Sequence, residues 1–322
     1  MTESVDGLPP TVRFIERDWL SANQILLFDD DAVTVVDTGY EKHAPMTAAL
    51  VRAALDAHGP DTRLCRIINT HLHSDHCGGN ARLQAEHECR TWVPAASLAD
   101  VRAWDTAALT YAGTGQDCPR FVADGALAPG DGFEAGGLRW HCHAAPGHDP
   151  KSLIFHAPEA GLLISADALW RHGFGVIFPE LVDASGFAEQ AAILDLIESL
   201  APRRVLPGHG PVFDRADLAI DEARARLAAL RADPRRNCRG ALRALVMFRM
   251  LALECVSRDT LQQVLANADI MAAAAATLGL SLHDGIDMTI DDLVRQRQLH
   301  DCGDGRIAVP GVVLDSPGSR QP

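Results

Sequence analysis

Apolar and polar residues alternate in two segments near the start of the chain, residues 11–17 and 24–37. Successive side chains of a strand point to opposite faces of its sheet, so this alternation predicts strands. The acidic residues 29–31 predict a hairpin turn inside the second segment. Further along, the sequence predicts helices over residues 45–58 and 187–200, where the apolar residues of the second recur at helical spacing.

The rest of the first two thirds of the chain also alternates between the two kinds of element. The elements predicted between the two helices are a helix ending near residue 88, a strand at 91–93, a helix over 97–111 and a loop-rich stretch over 112–136. Three short apolar strands later in the chain each end in a turn of small residues. Strands that alternate with helices in this way predict an α/β architecture of two sheets flanked by helices.

The pattern changes in the last third of the chain. The predicted elements there are helices over 216–232, 240–256 and 290–299, a helix capped by residues 257–260, and a hairpin within 299–309. A helix followed by a hairpin is the order of a winged helix. We therefore predict a catalytic domain over residues 1–215, a small, mainly helical, winged-helix-like domain over 216–314, and a flexible tail over 315–322. The second domain is expected to shape the pocket or a dimer, because Arg295 and Arg297 alone do not make a basic recognition helix.

The segment THLHSDHCGG, residues 70–79, holds the densest group of metal-binding side chains in the chain. His71 and His73 lie two residues apart in an extended segment, so both can reach one ion. Asp75 and His76 then point elsewhere, just before a glycine pair at which the chain can turn. Imidazole and carboxylate groups in these numbers predict two adjacent metal sites.

Three further donors occur in a repeated context, an apolar strand that ends in a turn of small residues. They are His148 in APGHDP, Asp167 after GLLISA, and His209 in LPGHG. Glycine beside His148 and His209 allows the backbone to direct each imidazole. Each of these residues alone is a weak signal, and their common placement at strand ends makes them candidate ligands.

We call residues 70–79 the ligand loop. Together with the three strand-end residues, this loop resembles the metallo-β-lactamase superfamily, whose members carry an HxHxDH loop followed by a histidine, an aspartate and a histidine at strand ends. The resemblance extends over residues 12–213 and implies that family's four-layer αββα sandwich. The implied ligands are His71, His73 and His148 for a first ion, Asp75, His76 and His209 for a second, and Asp167 as the bridge between them. The early segment VVDTG resembles the family's Asp-X-Gly, which implies that Asp37 orients the ligand loop.

The resemblance implies a metal-dependent hydrolase. Two adjacent divalent ions hold a shared water whose pKa falls toward neutrality, so that a bridging hydroxide attacks an ester, thioester, lactone or phosphodiester. We expect Asp75 and Asp167 to be the catalytic residues, since their charges leave the site with a small positive charge that stabilises an anionic intermediate. Affinity favours zinc as both metal ions, with iron and manganese as alternatives.

Two other functions are compatible with the motif. Mononuclear iron dioxygenases of the superfamily keep the same loop, so persulfide oxidation is one alternative. His73 stands where a diiron, oxygen-reducing member would carry glutamate, which favours hydrolysis. A non-catalytic ligand-binding or regulatory protein is the other alternative, and the complete donor set disfavours it. The motif set resembles that of glyoxalase II, so a thioesterase is one of the hydrolases that the resemblance implies, although the C-terminal region offers no match to the basic glutathione-binding residues of glyoxalase II.

An aromatic, glycine-containing loop follows the candidate bridging residue. We predict that Trp170, Phe174 and Phe178 form a pocket wall for an apolar acyl or aryl group, and that His172 donates a proton to the leaving group. Lys151 is predicted to reach a substrate anion. The plainer alternatives are packing beneath the loop for the aromatic residues and simple exposure for His172 and Lys151. The expected substrate is a small molecule, anionic and with an apolar group.

Charge argues against a nucleic-acid partner. The net charge is −14, with 43 acidic against 29 basic residues, and only two of the basic residues are lysines, Lys42 and Lys151. Proteins that grip long RNA or DNA present a basic face. A homodimer is the macromolecular partner that the sequence leaves open.

The start of the chain and its cysteines bear on location. Residues 1–6 lack the basic start and apolar run of a signal peptide, and no apolar stretch reaches membrane length. The eight cysteines are scattered without CxxC pairs. We therefore expect a cytoplasmic protein with reduced thiols, in which Cys77 and Cys142 are small apolar fillers near the site.

Overall fold

The computed structural model describes residues 7–182 and 184–311. The chain divides into two compact units. The first contains the described residues of 7–112 and 116–237, and the second contains 113–115 and 238–311.

The first unit is built on two β-sheets. The strands of the first sheet, in spatial and chain order, are β1 (Val12–Ile15), β2 (Gln24–Asp29), β3 (Ala32–Val36), β4 (Arg63–Ile68), β5 (Arg90–Pro94) and β6 (Gly125–Leu127). The strands of the second sheet are β7 (Gly132–Ala135), β8 (Leu138–Ala144), β9 (Leu153–Ala157), β10 (Leu162–Ala166) and β11 (Arg204–Pro207), and they lie side by side in the order β11-β10-β9-β8-β7.

The helices of the described chain range from one turn to five turns in length. They are α1 (Ala44–His58), α2 (Ser74–Cys77), α3 (Asn80–His87), α4 (Leu98–Ala103), α5 (Tyr111–Thr114), α6 (Phe187–Leu200), α7 (Ala216–Ala232), α8 (Arg235–Leu253), α9 (Arg258–Val264), α10 (Asp269–Thr277) and α11 (Leu282–Arg295). Short 3-10 helices lie at Glu41–His43, Ala95–Ser97 and Pro179–Val182.

Strand direction determines where the functional loops meet. In the first sheet β1, β2 and β3 are antiparallel, whereas β3, β4, β5 and β6 run parallel to their neighbours. The carboxyl ends of β3 and β4 therefore lie at one edge of the sheet, and Asp37 and the ligand loop follow these two ends. In the second sheet only β10 and β11 are parallel, so Asp167 and His209 also follow neighbouring strand ends.

Three apolar clusters separate four layers in the first unit. Between the sheets, Ile25 and Leu27 of β2 pack with Trp140 and Phe155 of the second sheet. On the outer face of the first sheet, Leu26 and its neighbours pack with helices α1 and α3. On the outer face of the second sheet, apolar residues of β9, β10 and β11 pack with α6 and α7. These layers confirm the predicted αββα sandwich.

The long helix predicted over residues 97–111 is wrong. Helix α4 ends at Ala103, because Trp104 adopts a left-handed conformation (φ 54°) and its amide hydrogen bonds to the carbonyl of Val101. The Trp104 ring then packs on Phe121, with ring centroids 5.4 Å apart. The left-handed Trp104 thus ends the helix and packs its half-buried ring against a distant part of the chain. The predicted loop-rich stretch that follows contains strands β6 and β7.

The helix expected after the ligand loop is present as α3, and a further short helix, α2, forms within the loop. Helix α2 ends at Cys77 and α3 begins at Asn80, with a glycine pair between them. A methyl group on Gly78 would collide with the backbone of Glu41 and lie 2.9 Å from the backbone of Tyr40. This close approach requires glycine and holds α2, with its candidate ligands, against the segment after β3.

Helix α7, with which the predicted second domain begins, packs in the first unit. Its residues Ile220, Ala223 and Leu227 join the cluster formed with α6. The observed division at residue 237 therefore lies later in the chain than the predicted boundary at 215, and the domain assignment stays a prediction. The predicted tail over 315–322 lies outside the described residues.

The second unit combines helices α8 to α11 with a three-stranded sheet. The strands are β12 (Cys255–Ser257), β13 (His300–Asp301) and β14 (Arg306–Ala308), in the order β12-β14-β13. Helix α8 stops before the predicted end at 256, because Glu254 is left-handed (φ 65°) and the next residues pair with β14. Helix α11 begins earlier than predicted, since the Ser281 side chain accepts a hydrogen bond from the amide of Asp284. The winged-helix assignment stays a prediction. In the described ranges, no helix has both the length and the apolar character that a membrane span needs.

Candidate metal centre

The ligand loop is held by backbone hydrogen bonds from both sheets. It leaves β4 at Ile68 and enters α2 at Ser74. The bonds that fasten it run from the amide of Ala22 to the carbonyl of Asp75 (3.0 Å), from Thr38 to His76 (2.7 Å) and from Leu153 to Thr70 (2.8 Å). The loop therefore presents its side chains from a rigid frame, although it belongs to no sheet.

Three imidazoles of the first predicted ligand set converge. His71 Nε2 lies 3.1 Å from His73 Nδ1, which lies 2.8 Å from His148 Nε2. His148 comes from the turn after β8, so the second sheet completes a set that the ligand loop begins. These three residues form one group of closely spaced donors.

The second predicted set also assembles around one point. His209 Nε2 lies 3.1 Å from Asp75 Oδ2, and His76 Nε2 lies 3.7 Å from the same oxygen. His209 follows β11, at the strand end beside Asp167. These residues form another group of closely spaced donors.

The carboxylate of Asp167 lies between the two sets. Its Oδ2 is 3.4 Å from His148 Nε2, whereas its Oδ1 is 3.4 Å from His76 Nε2 and 3.8 Å from His209 Nε2. One oxygen therefore faces each set. A carboxylate in this orientation is suited to bridge two cations.

The outer nitrogen atoms of the imidazoles indicate which tautomer each adopts. His148 Nδ1 lies 2.5 Å from the carbonyl of Val176, so Nδ1 carries the proton. His73 Nε2 lies 3.3 Å from Asp149 Oδ2, so Nε2 carries the proton there. The facing atoms, His73 Nδ1 and His148 Nε2, are then both lone pairs 2.8 Å apart, and a cation bound by both would relieve their repulsion.

The second set has the same property. His76 Nδ1 donates to Asp37 Oδ2 at 2.8 Å, so Nε2 is the lone pair of the neutral ring. Burial would lower the pKa of His76, but the carboxylates of Asp167, Asp37 and Asp75 raise it well above its ordinary value, so a metal ion would replace a proton on Nε2. That Nε2 is buried and has no hydrogen-bond partner among the described residues. A buried polar atom without a partner is costly, and a metal ion would satisfy it. The residues present therefore fit two divalent cations.

Burial and neighbouring charges set the protonation states of the candidate ligands. Burial lowers the pKa of His73 and of His148 to about 4, so both are neutral near pH 7. Burial and the neighbouring imidazoles also place the pKa of His71 well below its ordinary value. For Asp167, burial would raise the pKa, but His76 and His209 together hold it well below its usual range. Neutral imidazoles and an ionised carboxylate are the forms that bind metals.

Asp37 connects the first sheet to the ligand loop. Its Oδ1 accepts a hydrogen bond from the amide of Thr70 (2.9 Å), and its Oδ2 accepts from the Thr70 hydroxyl (2.7 Å) and from His76. Asp37 itself is buried and left-handed (φ 58°). The orienting role of Asp37 stays a prediction, and these hydrogen bonds are the contacts through which it would act.

Two of the predicted pocket residues lie at the site. The indole of Trp170 donates from Nε1 to Asp167 Oδ1 at 3.1 Å, and its ring lies 5.3 Å from that of His209. The ring of Phe178 lies 5.1 Å from His73 and 5.5 Å from His148. Trp170 therefore borders the second donor set, and Phe178 borders the first.

The other three predicted pocket residues have different partners. Phe174 is fully buried in the cluster beneath α6 and α7, with the Arg226 guanidinium over its ring, so it does not form a pocket wall. His172 is exposed and lies 3.1 Å from Glu222, and Lys151 Nζ lies 2.6 Å from Asp100. Local sequence could not show these competing carboxylates, because both are distant along the chain. The expected proton donation by His172 and anion contact by Lys151 are therefore not supported.

Asp149 is a site residue that sequence reasoning missed. It follows His148 directly, and its Oδ2 faces the outer nitrogen of His73 while its Oδ1 accepts the amide of Lys151 at 2.6 Å. Burial raises its pKa above the ordinary value. A carboxylate next to a candidate ligand was the available signal.

We expect Asp149→Ala to weaken metal binding by about 10- to 100-fold, the usual effect of removing a hydrogen-bond partner of a ligand. His73 would lose the acceptor that fixes its tautomer and ring orientation. Metal affinity measured by competition with a chromophoric chelator tests this. Asp105→Ala is the matched control, because Asp105 also caps a turn, through the amides of Ala107 and Ala108, but bonds to no candidate ligand. Equal affinities of the two variants would contradict the expectation.

We expect Gly208→Ala to lower turnover by about 100-fold, as a displacement of about 1 Å at a reacting centre can do. A methyl group at Gly208 would collide with Asp167 Oδ1 and lie 3.0 Å from His76 Cε1. The control is Gly240→Ala in α8, where a methyl group meets nothing within 4 Å. Turnover and metal content of both variants are the measurements. Wild-type values for Gly208→Ala would show that the carboxylate is free to move.

A family model described as the metallo-beta-lactamase superfamily matches residues 17–209. A hydroxyacylglutathione hydrolase of Methylococcus capsulatus is 31% identical over 170 residues, which are 52% of this chain and 54% of that protein. One of Ectopseudomonas mendocina is 29% identical over 180 residues, which are 56% of this chain and 57% of that protein. The chain thus spans about half the length of the curated relatives it matches.

Two solved structures share the fold over nearly the whole chain. A beta-lactamase domain protein from Burkholderia ambifaria has a TM-score of 0.58 at 21% identity, covering 95% of this chain and 96% of that one. A metallo-beta-lactamase family protein from Thermus thermophilus has a TM-score of 0.55 at 18% identity, covering 94% and 99%. At these identities the similarity concerns the fold alone.

Proposed function

The chain belongs to the metallo-β-lactamase superfamily, and on that premise we propose that it is a binuclear metal-dependent hydrolase of thioesters. The observation that carries the proposal is the orientation of Asp167, whose two oxygens face two separate donor sets. Two divalent ions, when bound, lower the pKa of a water so that hydroxide is available near pH 7. We propose zinc, with iron and manganese as the alternatives.

The residues of the chain divide the work of holding the ions. His71, His73 and His148 hold the first, and Asp75, His76 and His209 hold the second. Burial would raise the pKa of Asp75, but His76 and His209 lower it below its ordinary value, so Asp75 and Asp167 are both ionised. Two carboxylates against two divalent ions leave the centre positive. Such a centre stabilises the negative charge that develops on a carbonyl oxygen.

The surroundings of the donors favour an acyl substrate. Trp170 and Phe178 offer apolar surface beside both sets, which suits an acyl or aryl group. The Trp170 indole also restricts rotation of Asp167 by donating to Oδ1. Substrate contact with these two rings would place a carbonyl carbon next to the metal ions.

The leaving group is the reason for naming a thioester. His172, the residue predicted to protonate a leaving group, pairs with Glu222 instead, and Lys151, predicted to reach a substrate anion, pairs with Asp100. A thiol has a pKa of about 8.5, so a thiolate leaves without a proton from the protein. The relatives named hydroxyacylglutathione hydrolase support the same bond type. The cytoplasmic location and a homodimer stay predictions.

The test is turnover by the zinc-loaded protein across four substrate classes: thioester, lactone, carboxyl ester and phosphodiester. Within the thioesters, a hydroxyacylglutathione is compared with an acyl thioester of a neutral thiol. Asp167→Asn is the blank, and metal content is measured on the same samples. Thioester turnover that disappears in the blank supports the proposal. If the protein binds two equivalents of metal and turns over none of the four substrate classes, the proposal is overturned. Oxygen consumption with a persulfide then tests the dioxygenase alternative.

A further inference from the structure

Two cysteines meet beside the ligand loop. Cys77 directly follows His76 in α2 and is fully buried, whereas Cys118 is only partly buried. Their Sγ atoms lie 3.8 Å apart. The two residues are 41 positions apart in the chain, so tertiary structure alone brings the thiols together.

The surroundings tie this pair to the candidate metal centre. Cys77 Sγ lies 3.3 Å from the carbonyl of His73 and 3.5 Å from that of Leu72, both in the ligand loop. One turn earlier in α2, Ser74 hydrogen bonds to the side chain of Gln116. Residues 116–118, which we call the clasp segment, therefore contact α2 at two points, and both points are non-covalent.

We propose that Cys77 and Cys118 are an oxidation site, at which a reversible disulfide fastens the clasp segment to the ligand loop. A disulfide has an S–S length of about 2.05 Å, and rotation of the partly buried Cys118 side chain would close the gap. Strained or exposed disulfides are the readily reduced ones, so a link made through the partly buried Cys118 would be reversible.

The chemistry needs an oxidant, and we name a low-molecular-weight disulfide such as glutathione disulfide. The Cys118 thiolate, being the accessible one, attacks a sulfur of that disulfide and releases one thiolate, which leaves a mixed disulfide. Cys77 then loses its proton and attacks the Cys118 sulfur, and the second thiolate leaves. Two protein thiols are oxidised, one small disulfide is reduced, and the two protons pass to the two released thiols.

The consequence concerns the metals and rests on the proposed binuclear site. Opening of the ligand loop would separate the candidate ligands from a bound ion, and a covalent link from α2 to the clasp segment opposes that opening. We expect the oxidised protein to lose zinc to a chelator several-fold more slowly than the reduced protein.

The experiment treats the zinc-loaded protein with glutathione disulfide and maps its peptides without reduction. Zinc release to EDTA is followed before oxidation, after oxidation and after reduction by dithiothreitol. Cys118→Ser removes the accessible partner and leaves the packed Cys77 in place. The matched control is Cys302→Ser, since Cys302 and Cys255 also approach one another, in the second unit.

A linked peptide pair containing Cys77 and Cys118, absent in Cys118→Ser and retained in Cys302→Ser, supports the site. Zinc release that is slower after oxidation and returns to its original rate on reduction supports the proposed effect of the disulfide on the ligand loop. If the other thiols react with glutathione disulfide and no linked pair forms, the proposal is overturned. If the linked pair forms and the rate of zinc release is unchanged, the proposed effect of the disulfide on the metals is overturned. A linked pair in protein that never binds zinc would refute the proposed function while leaving the oxidation site standing.

Discussion

Replacing Asp167 with alanine is expected to lower turnover by more than the roughly 100-fold that loss of an outer hydrogen-bond partner costs. Both donor sets lose a ligand in this single change, because Oδ2 faces His148 and Oδ1 faces His76 and His209. The nearby carboxylates take other positions, since Asp75 lies against His76 and His209 and Asp149 lies against the outer nitrogen of His73. The expected protein folds and binds fewer than two equivalents of metal.

Metal content by elemental analysis and turnover on the best substrate are the measurements. Asp195→Ala is the control, because Asp195 is an exposed aspartate that pairs with Arg224 on the surface. Asp167→Asn separates charge from shape, since the amide keeps the volume of the side chain and one acceptor oxygen. Two equivalents of metal and near-normal turnover in Asp167→Ala would show that the two sets do not share this carboxylate.

Asp37→Ala is expected to destabilise the metal-free protein by about 3 kcal/mol, because it leaves several buried donors without an acceptor at about 1–3 kcal/mol each. The affected donors are the amide and hydroxyl of Thr70 and Nδ1 of His76. Alanine also tolerates the left-handed backbone at this position less well than aspartate does. Affinity for the second metal should fall as well, since His76 loses the partner that sets its tautomer.

Urea unfolding of the metal-free protein and chelator competition measure the two effects. Asp124→Ala provides a graded control, since Asp124 accepts one hydrogen bond, from the amide of Thr91, at an exposed position. Its expected cost is about 1 kcal/mol or less. Asp37→Asn keeps the backbone preference and one acceptor, so it should lie between the two. If Asp37→Ala lost no more stability than Asp124→Ala, the aspartate would not be fastening the ligand loop.

The local sequence pattern predicted some helices and strands correctly and others wrongly, and the differences have physical reasons. Helices α6 and α7 occur at the predicted residues because each presents one apolar stripe to the second sheet. The helix predicted over 97–111 was wrong, because helical spacing gives no information about the packing of Trp104 on Phe121. The helix predicted over 240–256 includes the first two residues of β12. Those residues form a strand because they pair with β14, a segment distant in the chain.

The candidate site divides in the same way. The HxHxDH loop and the three strand-end donors could be read from residue type and spacing, because metal ligation restricts both. Asp149 and Cys118 could not be assigned, since their roles depend on one atom of a distant residue, His73 Nε2 or Cys77 Sγ. The pocket prediction separated into Trp170 and Phe178 at the site and Phe174 beneath it, because the loop's path decides which rings face the donors.

The amino-acid sequence by itself determined the family, the fold class and a set of candidate metal donors, because periodicity and the ligand loop are properties of neighbouring residues. Only the tertiary structure decided which oxygen of Asp167 faces which donor set, which nitrogen of each imidazole carries its proton, and which charges take Lys151 and His172 away from the site. These are distances between groups far apart in the chain, and packing sets them.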